Sequence, residues 1–176
     1  MKKILTIISI LLVITTGFFC GCIQSGEGIL VLKIKDDPDY NISEALVTIS
    51  QLEVHCAGIN NTDTNDTFGE WKIIVNESQT FDLIALHNVS ELFGTANISA
   101  GWYTQIRLFI ESAYITIDGV QYELDIPFKN IKLISPFYIE DGQITILTLD
   151  FDIQKSVHET GNGKYIFKPT IKVIQG

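Results

Sequence analysis

The sequence predicts an all-β domain whose strands form two packed sheets. Two observations carry this. Apolar and polar residues alternate with a period of two over several segments, the pattern of strands with one face buried. Turn-forming clusters punctuate those segments at Asp36-Asp37-Pro38-Asp39, Gly58 to Gly69, Asp118-Gly119, Asp141-Gly142 and Gly161-Asn162-Gly163.

Taken in order, the first strand starts at Ile29, with Leu30, Leu32 and Ile34 inward and Val31, Lys33 and Lys35 outward. Leu46 to Cys56 is a long strand; Trp71 to Val75 and Thr80 to Leu83 are shorter. Leu83, Leu86, Val89 and Phe93 are helically spaced, which predicts a turn or two of helix before Gly94. Tyr103 to Ile117 sets Ile106, Leu108 and Ile110 opposite Gln105, Arg107 and Glu111. Val120 to Leu124 follows, then Ile131 to Ile139, interrupted at Pro136. Ile144 to Ile153 groups Leu147, Leu149, Phe151 and Ile153 on one face, and Tyr165 to Ile174 aligns Tyr165, Phe167, Ile171 and Val173.

Eight or so such strands point to an antiparallel Greek-key β-sandwich, immunoglobulin-like or transthyretin-like, with a barrel as the alternative. Ala100-Gly101-Trp102-Tyr103, just ahead of a strong strand, resembles a tyrosine corner, in which the hydroxyl bonds back to the upstream backbone. On that reading Trp102 and Tyr103 belong to the edge of the core.

The N-terminus carries an address. Lys2 and Lys3 precede an apolar run from Ile4 to Phe19, followed by Cys20-Gly21-Cys22. That is an export signal. Phe19-Cys20-Gly21-Cys22 resembles a lipobox, the prokaryotic lipoprotein signal, and the resemblance implies that Cys22 is acylated and becomes the new N-terminus. Phe19 and Cys20 depart from the usual aliphatic and small residues. An uncleaved helix over Ile4 to Ile23 is the alternative, and it too would tether the chain. The expected organisation is a signal peptide over 1–21, a short tether over 22–28 and one domain over 29–176, held at the outer face of the cytoplasmic membrane. Loss of Cys20 and acylation of Cys22 would leave Cys56 alone, so no internal disulfide is expected.

The formal charge is −9, and removal of Lys2 and Lys3 with the leader takes the mature domain to −11. Such a surface repels phosphate backbones, which excludes nucleic acid as a partner.

Several blocks resemble the prokaryotic lipoprotein domain of unknown function 4382. They are Leu32 to Gly58, with Val47-Thr48-Ile49-Ser50 and Glu53-Val54-His55; Phe81-Asp82-Leu83-Ile84-Ala85-Leu86; Ala100 to Ala113; and Leu133 to Val173, with Leu149-Asp150-Phe151-Asp152 and Gly161-Asn162-Gly163-Lys164-Tyr165. The resemblance implies a surface lipoprotein with a β-sandwich and assigns no catalytic residue.

Six of the nine asparagines, Asn41, Asn60, Asn65, Asn76, Asn88 and Asn97, stand in N-x-Ser/Thr sequons. Composition alone predicts about one, so the excess has a cause: N-glycosylation, or the joint preference of turns for Asn and Ser. Sequons together with a lipobox make an archaeal source the expected one.

Asp36, Asp37 and Asp39 offer hard oxygen ligands of the kind calcium uses, without EF-hand spacing; acidic residues also form turns unaided. Asp150 and Asp152 share a strand face from which they can pair with Lys168, Lys172 or Arg107. His55, His87 and His158 show no zinc spacing. His55 and Cys56 are adjacent on a strand and point to opposite faces, so they cannot form a nucleophile and base. No G-x-S-x-G elbow, Walker A loop or dinucleotide fingerprint is present. The expectation is a non-enzymatic binding, adhesion or structural module of the cell envelope, with no cofactor and a partner that is an envelope protein or glycan. A calcium-dependent binding domain is the alternative, and a small envelope hydrolase the third.

Overall fold

The computed structural model describes residues 26–37, 42–57 and 69–176. Its strands are β1 (Glu27–Asp37), β2 (Glu44–Cys56), β3 (Glu70–Val75), β4 (Gln79–Asp82), β5 (Glu91–Ser99), β6 (Gly101–Ile117), β7 (Val120–Asp125), β8 (Asn130–Ile139), β9 (Ile144–Asp152), β10 (Val157–Glu159), β11 (Tyr165–Phe167) and β12 (Ile171–Gln175). Among the described residues helix is confined to a 3-10 turn, Ile84–Leu86, and one α-helical turn, α1 (Ile153–Ser156).

Two sheets pack face to face. One has the order β12-β9-β1-β5; the other runs β10-β11-β7-β6-β2-β3, with β4 also on β2 and β8 also on β6. The expected β-sandwich is there, but its sheets are mixed rather than wholly antiparallel. β1 pairs with β9 in parallel, Ile29 opposite Ile144 through Asp37 opposite Asp152, and β11 pairs with β7 in parallel. Parallel neighbours need a long return of chain between them, and β1 and β9 have seven intervening strands to provide it.

The alternation read from the sequence buries the predicted faces. Leu30, Leu32 and Ile34 from one sheet meet Ile106, Leu108 and Ile110 from the other, all essentially without solvent exposure, and Leu147, Leu149 and Phe151 join them. Burying such a set is the main stabilising contribution, on the order of 1.5–3 kcal/mol per large apolar side chain.

The Asp118-Gly119 turn closes a two-residue hairpin between β6 and β7, with φ positive at both residues (50° and 78°), as a type I′ turn requires. Asp141-Gly142 does something else: it carries the chain from β8 in one sheet to β9 in the other. Pro136 does not interrupt β8. It falls where the β6–β8 register shifts, between Tyr103 opposite Phe137 and Gln105 opposite Ile134, a bulge at which a missing N–H costs little.

Three segments differ from expectation. The helical spacing ends at Leu86: Asn88 adopts φ 57°, Val89 is exposed, and Phe93 is a buried residue of β5, a strand the periodicity did not predict. Tyr165 to Ile174 is two strands, because Pro169 ends β11 and lets β12 join the opposite sheet. Ile153 is inward as predicted, yet it opens α1 rather than continuing β9; Asp152 caps that turn by accepting from the Lys155 amide at 3.0 Å.

The tyrosine corner is present. Tyr103 is fully buried, and its hydroxyl donates to the Ser99 carbonyl at 3.0 Å. Gly101, at φ 145°, makes the sharp passage from β5 to β6 that allows this bond.

Candidate functional site

β6 is longer than any partner on its second side. β7 pairs with Tyr114 to Ile117 and β8 with Gly101 to Phe109, so β6 changes neighbours between those stretches. The chain linking β7 to β8 crosses there, held by the Ile110 amide on the Lys129 carbonyl (2.7 Å) and by Lys129 Nζ on the Glu111 carbonyl (3.1 Å). An open groove of about 520 Å³ lies at this junction.

Three elements build its walls. β6 contributes Glu111 and Ser112; β7 contributes Tyr122, Glu123, Leu124 and Asp125; the hairpin between β10 and β11 brings Lys164 and Tyr165. That hairpin is fixed by the Thr160 amide on the Lys164 carbonyl (2.7 Å) and by Gly163 at φ 72°. The parallel pairing of Tyr165 with Leu124 then sets Tyr165 beside Tyr122, ring centroids 5.1 Å apart and inclined at 62°. Two exposed ammonium groups, Lys129 and Lys164, line the groove with this edge-to-face pair, while Glu123 and Asp125 alternate with Tyr122 along β7 and project from the other face of the strand. Desolvation, then the carboxylate of Glu159 and the neighbouring Tyr122, raise the Tyr165 phenol above its ordinary range. Aromatic faces with interleaved donors and acceptors suit a polyhydroxylated or amide-bearing ligand.

The groove was not foreseen from the sequence. Its residues run from Glu111 to Tyr165 and meet only through the β7–β11 pairing, which no local pattern encodes. The single available signal was Tyr122 and Tyr165 on half-buried strands.

Of the residues singled out in the sequence, Cys22, Asn41, Asn60, Asn65 and Asp39 lie outside the described residues, as does the Asp37 side chain. Asn76, Asn88 and Asn97 are exposed. Asn76 follows β3, Asn97 is on edge strand β5, and Asn88 takes a left-handed turn conformation in which Asn is favoured without any glycan.

Asp36 is a residue of β1, not of the turn, and is buried; its Oδ1 accepts from the Ile153 amide at 3.1 Å. That contact ties β1 to the start of α1 and is a structural use of the carboxylate. Among the described residues no three His, Cys, Asp or Glu side chains cluster closely enough to hold a metal ion.

The expected partners of Asp150 and Asp152 are corrected by the geometry. Asp150 pairs with Lys35 at 3.2 Å, its neighbour across the parallel β1–β9 ladder, and Asp152 with Lys155 on its own helical turn. The Lys155 contact holds the Asp152 carboxyl below the usual range. Arg107 instead pairs with Glu53 at 3.1 Å and lies 3.7 Å over the Trp71 ring.

His55 and Cys56 diverge as argued from strand geometry. His55 stacks near Trp71 and shares a hydrogen bond with the Thr104 hydroxyl (3.1 Å), while the Cys56 thiol meets the Tyr103 phenol. Cys56 is a free thiol.

A family model described as "Domain of unknown function (DUF4382)" matches residues 27–169. No curated protein and no solved structure matches.

Proposed function

The chain belongs to that family of domains of unknown function, DUF4382, and from this premise we propose that it is a membrane-tethered extracytoplasmic module, without catalytic activity, that binds a glycan of the cell envelope. The observation that carries the binding role is the groove beside Tyr122 and Tyr165. Sugar rings present alternating C–H faces and hydroxyls; tyrosine rings take the former, and the tyrosine hydroxyls with the Lys129 and Lys164 ammonium groups complement the latter. A glycan is favoured over a nucleotide or nucleic acid because the domain is strongly acidic and the groove carries carboxylates as well as amines.

The tether rests on the sequence: a basic, apolar leader ending in Cys20-Gly21-Cys22, with Cys22 as the lipid anchor. The six sequons suit an archaeal surface protein that is itself glycosylated, and exposure of Asn76, Asn88 and Asn97 leaves room for glycans there. A hydrolase is disfavoured, since Glu123 and Asp125 are both exposed residues of one strand, with no difference in environment to divide acid from base.

The test is a titration of the chain with neutral and acidic oligosaccharides, followed by tyrosine and backbone NMR shifts. Binding that moves Tyr122, Tyr165 and Glu123 and weakens at least tenfold in Tyr165→Ala, with the fold intact, supports the reading. Shifts elsewhere, or release of shorter sugars during the titration, contradict it.

A further inference from the structure

Resting on the proposed tether at Cys22, we infer that the tether-proximal end of the sandwich docks on the bilayer surface, with Trp102 and Tyr138 as its interfacial contacts. The chain enters the domain at Gly26, whose carbonyl accepts from the Ala100 amide at 2.7 Å, and the next carbonyl, of Glu27, accepts from Gly142 at 2.8 Å. The entry point is therefore pinned between the β5–β6 link and the β8–β9 turn. Four peptide steps separate Cys22 from Gly26, a reach of about 14 Å at full extension. A domain held that closely presents this end to the lipid whichever way it turns.

Exposed aromatic and aliphatic side chains gather at the same end. Trp102 is two residues beyond Ala100 and stands opposite Tyr138 in the β6–β8 ladder, with ring centroids 5.2 Å apart. They are 53% and 44% exposed, an unusual state for a paired Trp and Tyr on a sheet. Across the sandwich Ile29 and Ile144, partners in the first rung of the β1–β9 ladder, are also exposed. Trp and Tyr rings favour the headgroup level of a bilayer, where one edge is apolar and the other wet. Glu27, Glu140 and Asp141, exposed at this end, oppose anionic lipids, so the fitting surface is one of zwitterionic or uncharged headgroups.

The chain has two tryptophans, Trp71 and Trp102, which makes the contact measurable. Full-length lipidated protein is reconstituted in phosphatidylcholine vesicles with and without bromine on the upper acyl chain, as wild type, Trp71→Phe and Trp102→Phe. Docking predicts that bromolipid removes at least half of the Trp102 emission, seen directly in Trp71→Phe and as the difference between wild type and Trp102→Phe. Unchanged Trp102 emission in protein that floats with the vesicles overturns the docking inference alone. Protein that does not float overturns the tether as well.

Discussion

Asp36 and Ile153 lie far apart in sequence and are joined by one hydrogen bond, the Ile153 amide donating to Asp36 Oδ1 at 3.1 Å inside the domain. The contact fixes the last buried residue of one β1 face to the turn that ends β9. Asp36→Ala leaves a buried amide without that acceptor, which costs about 1–3 kcal/mol. The urea midpoint should fall accordingly with an unchanged denaturant slope. A loss below about 0.5 kcal/mol would mean that the bond adds nothing net.

The same contact bears on the calcium alternative. A carboxylate already engaged with Ile153 is poorly placed to serve a site formed with Asp37 and Asp39. The melting temperature is expected to be equal in EDTA and in millimolar calcium. A rise of several degrees with calcium, lost in Asp37→Ala, would restore the cation-dependent reading, because a ligand that binds only the folded state must stabilise it.

Tyr103 predicts an alkaline limit to stability. Burial, then the neighbouring Cys56 and Glu70, push its phenol well above the ordinary value of 10.0. Its folded pKa therefore exceeds the unfolded one, so the folded state holds the proton longer. Stability from this group is complete below about pH 10 and declines as pH rises from there toward the folded pKa. Tyr103→Phe removes the bond to Ser99, worth about 1 kcal/mol near neutrality, and flattens the decline above pH 10. Denaturation midpoints for both proteins between pH 7 and 12 check the two parts separately; parallel curves would contradict the second.

Much of the fold was legible where strands have one wet face. In β1, β6 and β9 the two-residue period names the buried side chains correctly, because each strand alternates between core and solvent. β5 was not legible, since Gly94 and the register shift opposite Leu32 and Lys33 break its alternation, and Leu83, Leu86 and Phe93 happen to be helically spaced. Nor was the parallel pairing of β1 with β9, which depends on which sheet each strand joins and not on local pattern. The groove fell into the same gap. Tyr122 and Tyr165 are ordinary strand residues in sequence, and only the tertiary path of β11 makes them neighbours.

The tether is the premise shared by the proposed function and the docking inference, and the intact mass of the chain extracted from its native membrane tests it most directly. The account predicts a polypeptide beginning at Cys22, carrying a diacylated glyceryl group on that residue and heterogeneous glycan mass on the sequons. A chain cut after the apolar run with an unmodified N-terminus would contradict it, whereas one that begins at Met1 would overturn the lipid anchor and leave the uncleaved apolar segment as the tether.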